Sequence, residues 1–133
     1  MWTPELTDSF LEAVLPCKDK SEFERRCAQF YVEHLGSTRQ RGIVEGEQYL
    51  RRKANGRNPY LGPVADLSRT CRTDLPWTWV EEQVLWWAFV RSYADVDMTD
   101  RLTNNDIAVL LQRTEQEIIN HRNQDRGIQG FDL

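Results

Sequence analysis

Apolar residues recur at helical spacing in six stretches of the chain. In the first, Leu6, Phe10, Leu11, Val14 and Leu15 follow Thr3-Pro4 and stop at Pro16. This predicts an amphipathic helix with Thr3 as its cap and Pro4 at its first position. Ser21 and Glu24 then stand at capping-box spacing, and Phe23, Cys27, Phe30, Tyr31 and Leu35 form one stripe that Gly36 closes. A third helix is predicted from about Thr38 to Lys53, with Ile43, Val44 and Leu50 as its buried face. Gly42 and Gly46 weaken its intrinsic propensity.

The pattern breaks between Lys53 and Pro76, where Asn55-Gly56, Asn58-Pro59, Gly62-Pro63 and Asp74-Leu75-Pro76 are turn signals. A short helical turn is expected at Val64 to Ser68, and Tyr60, Leu61 and Leu67 are expected to pin this connector onto a core. Thr78-x-x-Glu81 then opens an unusually apolar helix through Tyr93. Val80, Val84, Trp87 and Ala88 share one face, while Leu85, Trp86 and Phe89 carry apolarity widely around the cylinder. A surface helix needs only one such face. The helix is therefore central, or it packs on its own unit and on something else, the first half of the chain or a second copy, with Trp86, Phe89 and Tyr93 as the candidate interface.

After an acidic loop from Asp95 to Arg101, Thr103 and Asp106 mark another helix start. Ile107, Ala108, Leu110 and Leu111 supply its core side, and Gln112-Arg113 forms a tight break. Thr114 and Glu117 cap a last helix with Ile118 and His121 on its inner side. The expected fold is all-α: two closely packed three-helix, helix-turn-helix-like bundles. They occupy residues 1–55, with a basic third helix, and 77–124, joined by a connector at 56–76 and followed by a tail at 125–133. Trp2-Thr3 is echoed by Trp77-Thr78; a degenerate tandem repeat and simple repetition of amphipathic helices both explain the echo.

Composition narrows the functional classes. In 133 residues, 40% are hydrophobic and five are Trp, enough apolar surface for a folded core. No apolar run approaches the roughly 20 residues that span a bilayer, so no membrane partner is expected. The N-terminus has no basic segment followed by an apolar core of the signal type, which predicts a cytoplasmic protein. Cys17, Cys27 and Cys71 form no CxxC and lie at no metal-ligand interval from His34 or His121, so reduced thiols and no metal are expected. Neither a Gly-rich phosphate loop nor a nucleophile elbow is present, and the adjacent Glu81 and Glu82 diverge by about 100° on a helix. The sequence thus predicts no enzyme, no catalytic residue and no cofactor.

Net charge is −4 but unevenly spread. Residues 1–60 carry ten Lys/Arg against nine Asp/Glu, and residues 61–133 carry seven against twelve. Between Ser37 and Arg57, Arg39, Arg41, Arg51, Arg52, Lys53 and Arg57 face only Glu45 and Glu47. That segment is the best electrostatic candidate for phosphate contact.

The most informative stretch is Asn104 to Arg122. Two helices crossing steeply need a small residue at their approach, apolar inner faces and a turn of about three residues. Ala108, then Ile107 and Leu111, then Gln112 to Thr114, then Ile118 meet those needs in order. This phrase, with Trp79, Glu81, Glu82 and Leu85 upstream, resembles the Myb/SANT-like and related homeodomain-like helix-turn-helix modules over about 45 residues. Gln112 stands where glycine is common, and Ile118 and His121 stand where a Myb repeat places an aromatic.

The resemblance implies double-stranded DNA as partner and a transcription-associated regulator, at the nucleoid of a bacterium or phage-infected cell or in a eukaryotic nucleus. Gln116 and Asn120 would then bond adenine, Asn123 would face outward beside them, and Arg113, Arg122 and Arg126 would meet phosphates. From Arg113 to Arg126, however, three basic residues are balanced by Glu115, Glu117 and Asp125. Such neutrality is poor for a lone reader of a polyanion. The alternative is an adaptor of the same fold that binds protein and not DNA.

Overall fold

The computed structural model describes residues 3–55, 71–93 and 103–124, and among them every regular element is a helix. The chain is all-α. Helix α1 spans Pro4–Val14, α2 Lys20–Leu35, α3 Arg39–Asn55, α4 Trp79–Tyr93, α5 Asn104–Leu111 and α6 Glu115–Gln124. The expected helical turn at Val64 to Ser68, the pinning residues Tyr60, Leu61 and Leu67, the acidic loop, the tail and Arg57 lie outside the described residues.

Local chemistry sets most helix ends. The Thr3 side chain accepts the Leu6 N–H at 3.1 Å, and Gly36 ends α2 in the left-handed region at φ 63°. Thr103 and Asp106 cap α5 reciprocally, as Thr78 and Glu81 do for α4 and Thr114 and Glu117 for α6. The start of α2 differs from expectation. Asp19 is its cap, accepting from Glu22 N–H at 2.8 Å, and Glu22 accepts from Lys18 N–H at 2.8 Å. The cap therefore sits two residues before the Ser21 expected from its spacing to Glu24.

The buried face of α3 also departs from expectation. Leu50 is buried, but Ile43 is half-buried and Val44 is 57% exposed. The inward face instead runs through Gly42, Gly46, Tyr49, Leu50, Lys53 and Ala54. Its two glycines are the reason. A Cβ on Gly42 would lie 2.8 Å from Tyr31 Cβ, and one on Gly46 would lie 2.7 Å from Cys27 Sγ. Bare backbone lets α3 approach α2 closely, so glycines that look like helix weakeners form the contact surface.

Buried apolar residues from Phe10 to Ile118 make one continuous core cluster. Phe10 sits among Phe30, Tyr31 and Tyr49, with ring centroids 5.2 to 6.2 Å away in edge-on geometry. Helix α4 is central, in keeping with its wide apolar girth: Val80, Glu81, Gln83, Val84, Leu85 and Trp87 are all buried. Its N-terminus is anchored on the α1–α2 turn, where the Thr78 hydroxyl donates to Leu15 O at 2.5 Å and Val80 N–H donates to Cys17 O at 3.4 Å. Trp79 meets Phe23 of α2, and the Arg51 guanidinium of α3 lies 5.5 Å over the Trp87 ring.

Candidate functional site

The α5–α6 pair turns through Gln112, a non-glycine residue at φ 61°. Its left-handed geometry lets Arg113 N–H donate to Ala108 O at 3.0 Å and close the helix end. A left-handed non-glycine residue costs about 1–2 kcal/mol, and here neighbours hold it. The Gln112 carbonyl accepts Arg72 N–H at 2.9 Å, and its side-chain oxygen accepts the Cys71 thiol at 2.8 Å. Residues 71–76 thus lie across the helix-turn-helix turn.

Beneath that turn is a buried ion network centred on Glu81, which is 0% exposed. Arg72 donates to it through Nε and Nη2, each at 3.1 Å. Arg113, 2% exposed, donates through Nε at 2.6 Å and Nη2 at 3.0 Å. The Thr78 N–H completes the set at 3.0 Å. A carboxylate moved from water into a protein interior is expensive unless its lone pairs are satisfied by charged donors; here two guanidinium forks and a backbone amide do so. Arg113 reaches further, to Glu117 at 3.2 Å and to the carbonyls of Leu75 at 2.8 Å and Pro76 at 3.1 Å. One side chain from the turn therefore binds α4, α6 and the connector together.

Titration follows from these contacts. Burial opposes the charge on Arg113, but the hydrogen bonds and negative charge of Glu81, with Glu117, hold its pKa above the ordinary value. Burial likewise disfavours ionised Glu117. The backbone N–H groups of Thr114 and Asp74, the Thr114 hydroxyl and the Arg113 charge outweigh it and pull the carboxyl below its ordinary 4.5. Burial, with a smaller contribution from Glu22, pushes the Cys17 thiol up to about 11, and burial pushes Cys27 higher still. Both stay protonated as core thiols.

A stack flanks the network. The Trp77 ring has Arg113 4.5 Å over it and the His121 imidazole 3.8 Å away, with the two ring planes 8° from parallel. His121 also bonds Glu82 through Nε2. Helix α6 is thereby tied to α4 at both of its ends.

The sequence-predicted contacts separate into two groups. Two expectations are corrected. Arg113 is a buried ion-pair partner, withdrawn from the surface by Glu81 and Glu117, and Lys53 is 3% exposed with its ammonium 5.5 Å over the Tyr49 ring. Neither stands out as a phosphate contact. Arg39, Arg41, Arg51 and Arg52 are exposed on α3, with Arg41 bonded to Glu45 at 2.9 Å and Arg51 3.8 Å from Glu47. Exposed pairs of this kind contribute about 0.2–1 kcal/mol each and exchange partners readily.

On α6, Gln116, Asn120, Arg122 and Asn123 are all exposed. Gln116 Nε2 donates to Asn120 Oδ1 at 2.9 Å, and Arg122 bonds Asn104. Of the expected interface, Trp86 is half-buried against the core, while the side chains of Phe89 and Tyr93 lie outside those described. No group of His, Cys, Asp and Glu that could hold a metal occurs among the described residues.

Sequence reasoning missed Glu81, Arg72 and Trp77 as a unit. Spacing marks Glu81 as a capping residue, which it is, and nothing in a capping box announces a second role. Comparison with protein families, curated proteins and solved structures finds no match to the chain.

Proposed function

We propose that the chain is a small DNA-binding or transcription-associated regulator that offers α6 to the major groove and takes its phosphate contacts from the exposed cations of α3. The observation that carries this reading is the polar outer face of α6, held at a fixed angle by the buried network behind it. On that face the Gln116–Asn120 bond leaves Gln116 Oε1 as an acceptor and Asn120 Nδ2 as a donor. The amide of a single Gln or Asn, offering an acceptor and a donor together, complements the N6 and N7 edge of adenine. The resemblance of Asn104 to Arg122 to Myb/SANT-like modules supports the same reading, and the work of such a regulator lies at the nucleoid or in the nucleus.

With Arg113 and Lys53 buried, affinity falls to Arg39, Arg41, Arg51 and Arg52. A mobility shift with random duplex at low salt tests this: retardation is expected, and Arg51→Glu with Arg52→Glu abolishes it. No retardation at low salt overturns the proposal.

A second reading is favoured by one observation, that the exposed charges of α6, Glu115 and Arg122, cancel. On it the module is a protein-interaction adaptor. Its signature is a complex recovered from the native host that survives nuclease treatment.

A further inference from the structure

A cleft of about 480 Å³ opens where the α1–α2 turn faces residues 72–79. Its apolar walls come from Pro16, Leu75, Pro76, Trp77 and Trp79, and two cations also line it, Lys18 from one turn and Arg72 from the other. Its volume falls within the range of small-molecule sites, which pair apolar walls with a few convergent polar groups.

Two features single out the cations. Arg72 is only 8% exposed. Its Nε and Nη2 are fixed on Glu81, and Nη1 has no hydrogen-bond partner among the described residues. The guanidinium is therefore held in place at the cleft with one donor nitrogen uncommitted. Lys18 has no ion pair among the described residues. The two carboxylates nearest to it in sequence, Asp19 and Glu22, accept backbone N–H groups of Glu22 and Lys18. Leu75 keeps 46% of its surface exposed at the same cleft.

We propose that this cleft binds a small aromatic carboxylate, its ring between Trp79 and the two prolines and its carboxylate between Lys18 and Arg72 Nη1. Indole and proline rings favour a planar ring over a flexible chain, and a prepositioned guanidinium N–H favours an anionic acceptor such as a carboxylate. The ligand would join two chain segments and touch Arg72, the outermost member of the network that holds the helix-turn-helix turn. The site stands independently of DNA binding.

The test is calorimetric titration of the full chain with 1-naphthylacetate and, in parallel, with its neutral analogue 2-(1-naphthyl)ethanol, while the Trp77 and Trp79 indole N–H signals are followed by NMR. Saturable one-to-one binding with shifts at both indoles is expected. The neutral analogue and the Lys18→Glu variant each bind about tenfold more weakly or worse, and Leu75→Asp weakens binding by removing an apolar wall and setting a like charge against the ligand carboxylate. Lys18 and Leu75 project into solvent, so both variants keep the wild-type circular dichroism spectrum. Absence of saturable binding, equal affinity for the neutral analogue, or unchanged affinity in Lys18→Glu overturns the proposal.

Discussion

At the scale of single residues, the decisive group is the Glu81 carboxylate, because its environment leaves it no solvent to fall back on. It is fully buried and receives four hydrogen bonds from Arg72 and Arg113. Removing one partner of a buried pair strands the other's charge and costs about 3–5 kcal/mol, a large share of the roughly 5–15 kcal/mol that holds a domain folded. Glu81→Gln and Arg113→Gln should each lower the unfolding free energy, obtained from urea denaturation, by an amount of that order. A change under about 1 kcal/mol in either would show that the network is dispensable. Glu117 adds a pH dependence. Its folded-state pKa is depressed below 4.5, so its contribution is complete above that value, and the unfolded chain takes up the proton first as pH falls. Stability should decline through and below pH 4.5, and Glu117→Gln should flatten that slope in denaturation curves recorded across the acid range. An identical slope in the variant would assign the acid sensitivity to other carboxylates.

At the scale of elements, what the chain announces and what it conceals differ in kind. Helix existence was legible because amphipathic spacing and capping pairs are local: Thr78 with Glu81, Thr103 with Asp106 and Thr114 with Glu117 each operate where their spacing predicted. The inward face of α3 was not legible, since Gly42 and Gly46 have no apolar side chain to reveal it. Their role appears only once Cys27 and Tyr31 of α2 lie against them. This close approach yields a prediction with opposing terms. Replacing Gly46 by Ala gains about 1 kcal/mol of helix propensity, but the new methyl would sit 2.7 Å from Cys27 Sγ and 2.9 Å from its Cβ, and overpacking costs about 1–3 kcal/mol. Net destabilisation is expected in Gly46→Ala, partly relieved by adding Cys27→Ala. Gly42→Ala gains nothing from trimming a side chain, because Ala28 Cα and Cys27 O are also in its way at 3.2 Å. A thermal melt of Gly46→Ala above the wild type would refute the close α2–α3 packing.

At the scale of the whole molecule, the two halves share one hydrophobic cluster, and the α5–α6 turn is held from behind by residues of α4 and of the connector turn. The candidate site was legible in part for the same reason as the fold. Exposed polar residues such as Gln116 and Asn120 follow from the helical period, whereas the burial of Arg113 and Lys53 depends on partners distant in sequence and overturns a reading based on charge alone. That reassignment leaves the exposed cations of α3 to carry the proposed affinity for a polyanion. The central claim, DNA binding through them, is tested most directly by the salt dependence of binding to a labelled random duplex. The logarithm of the association constant should fall linearly with the logarithm of salt concentration. The milder Arg51→Gln with Arg52→Gln, which leaves binding measurable, should reduce that slope by about 2, at roughly 0.9 for each phosphate left unneutralised. Binding that is absent at low salt, or a slope identical in wild type and variant, would contradict the account.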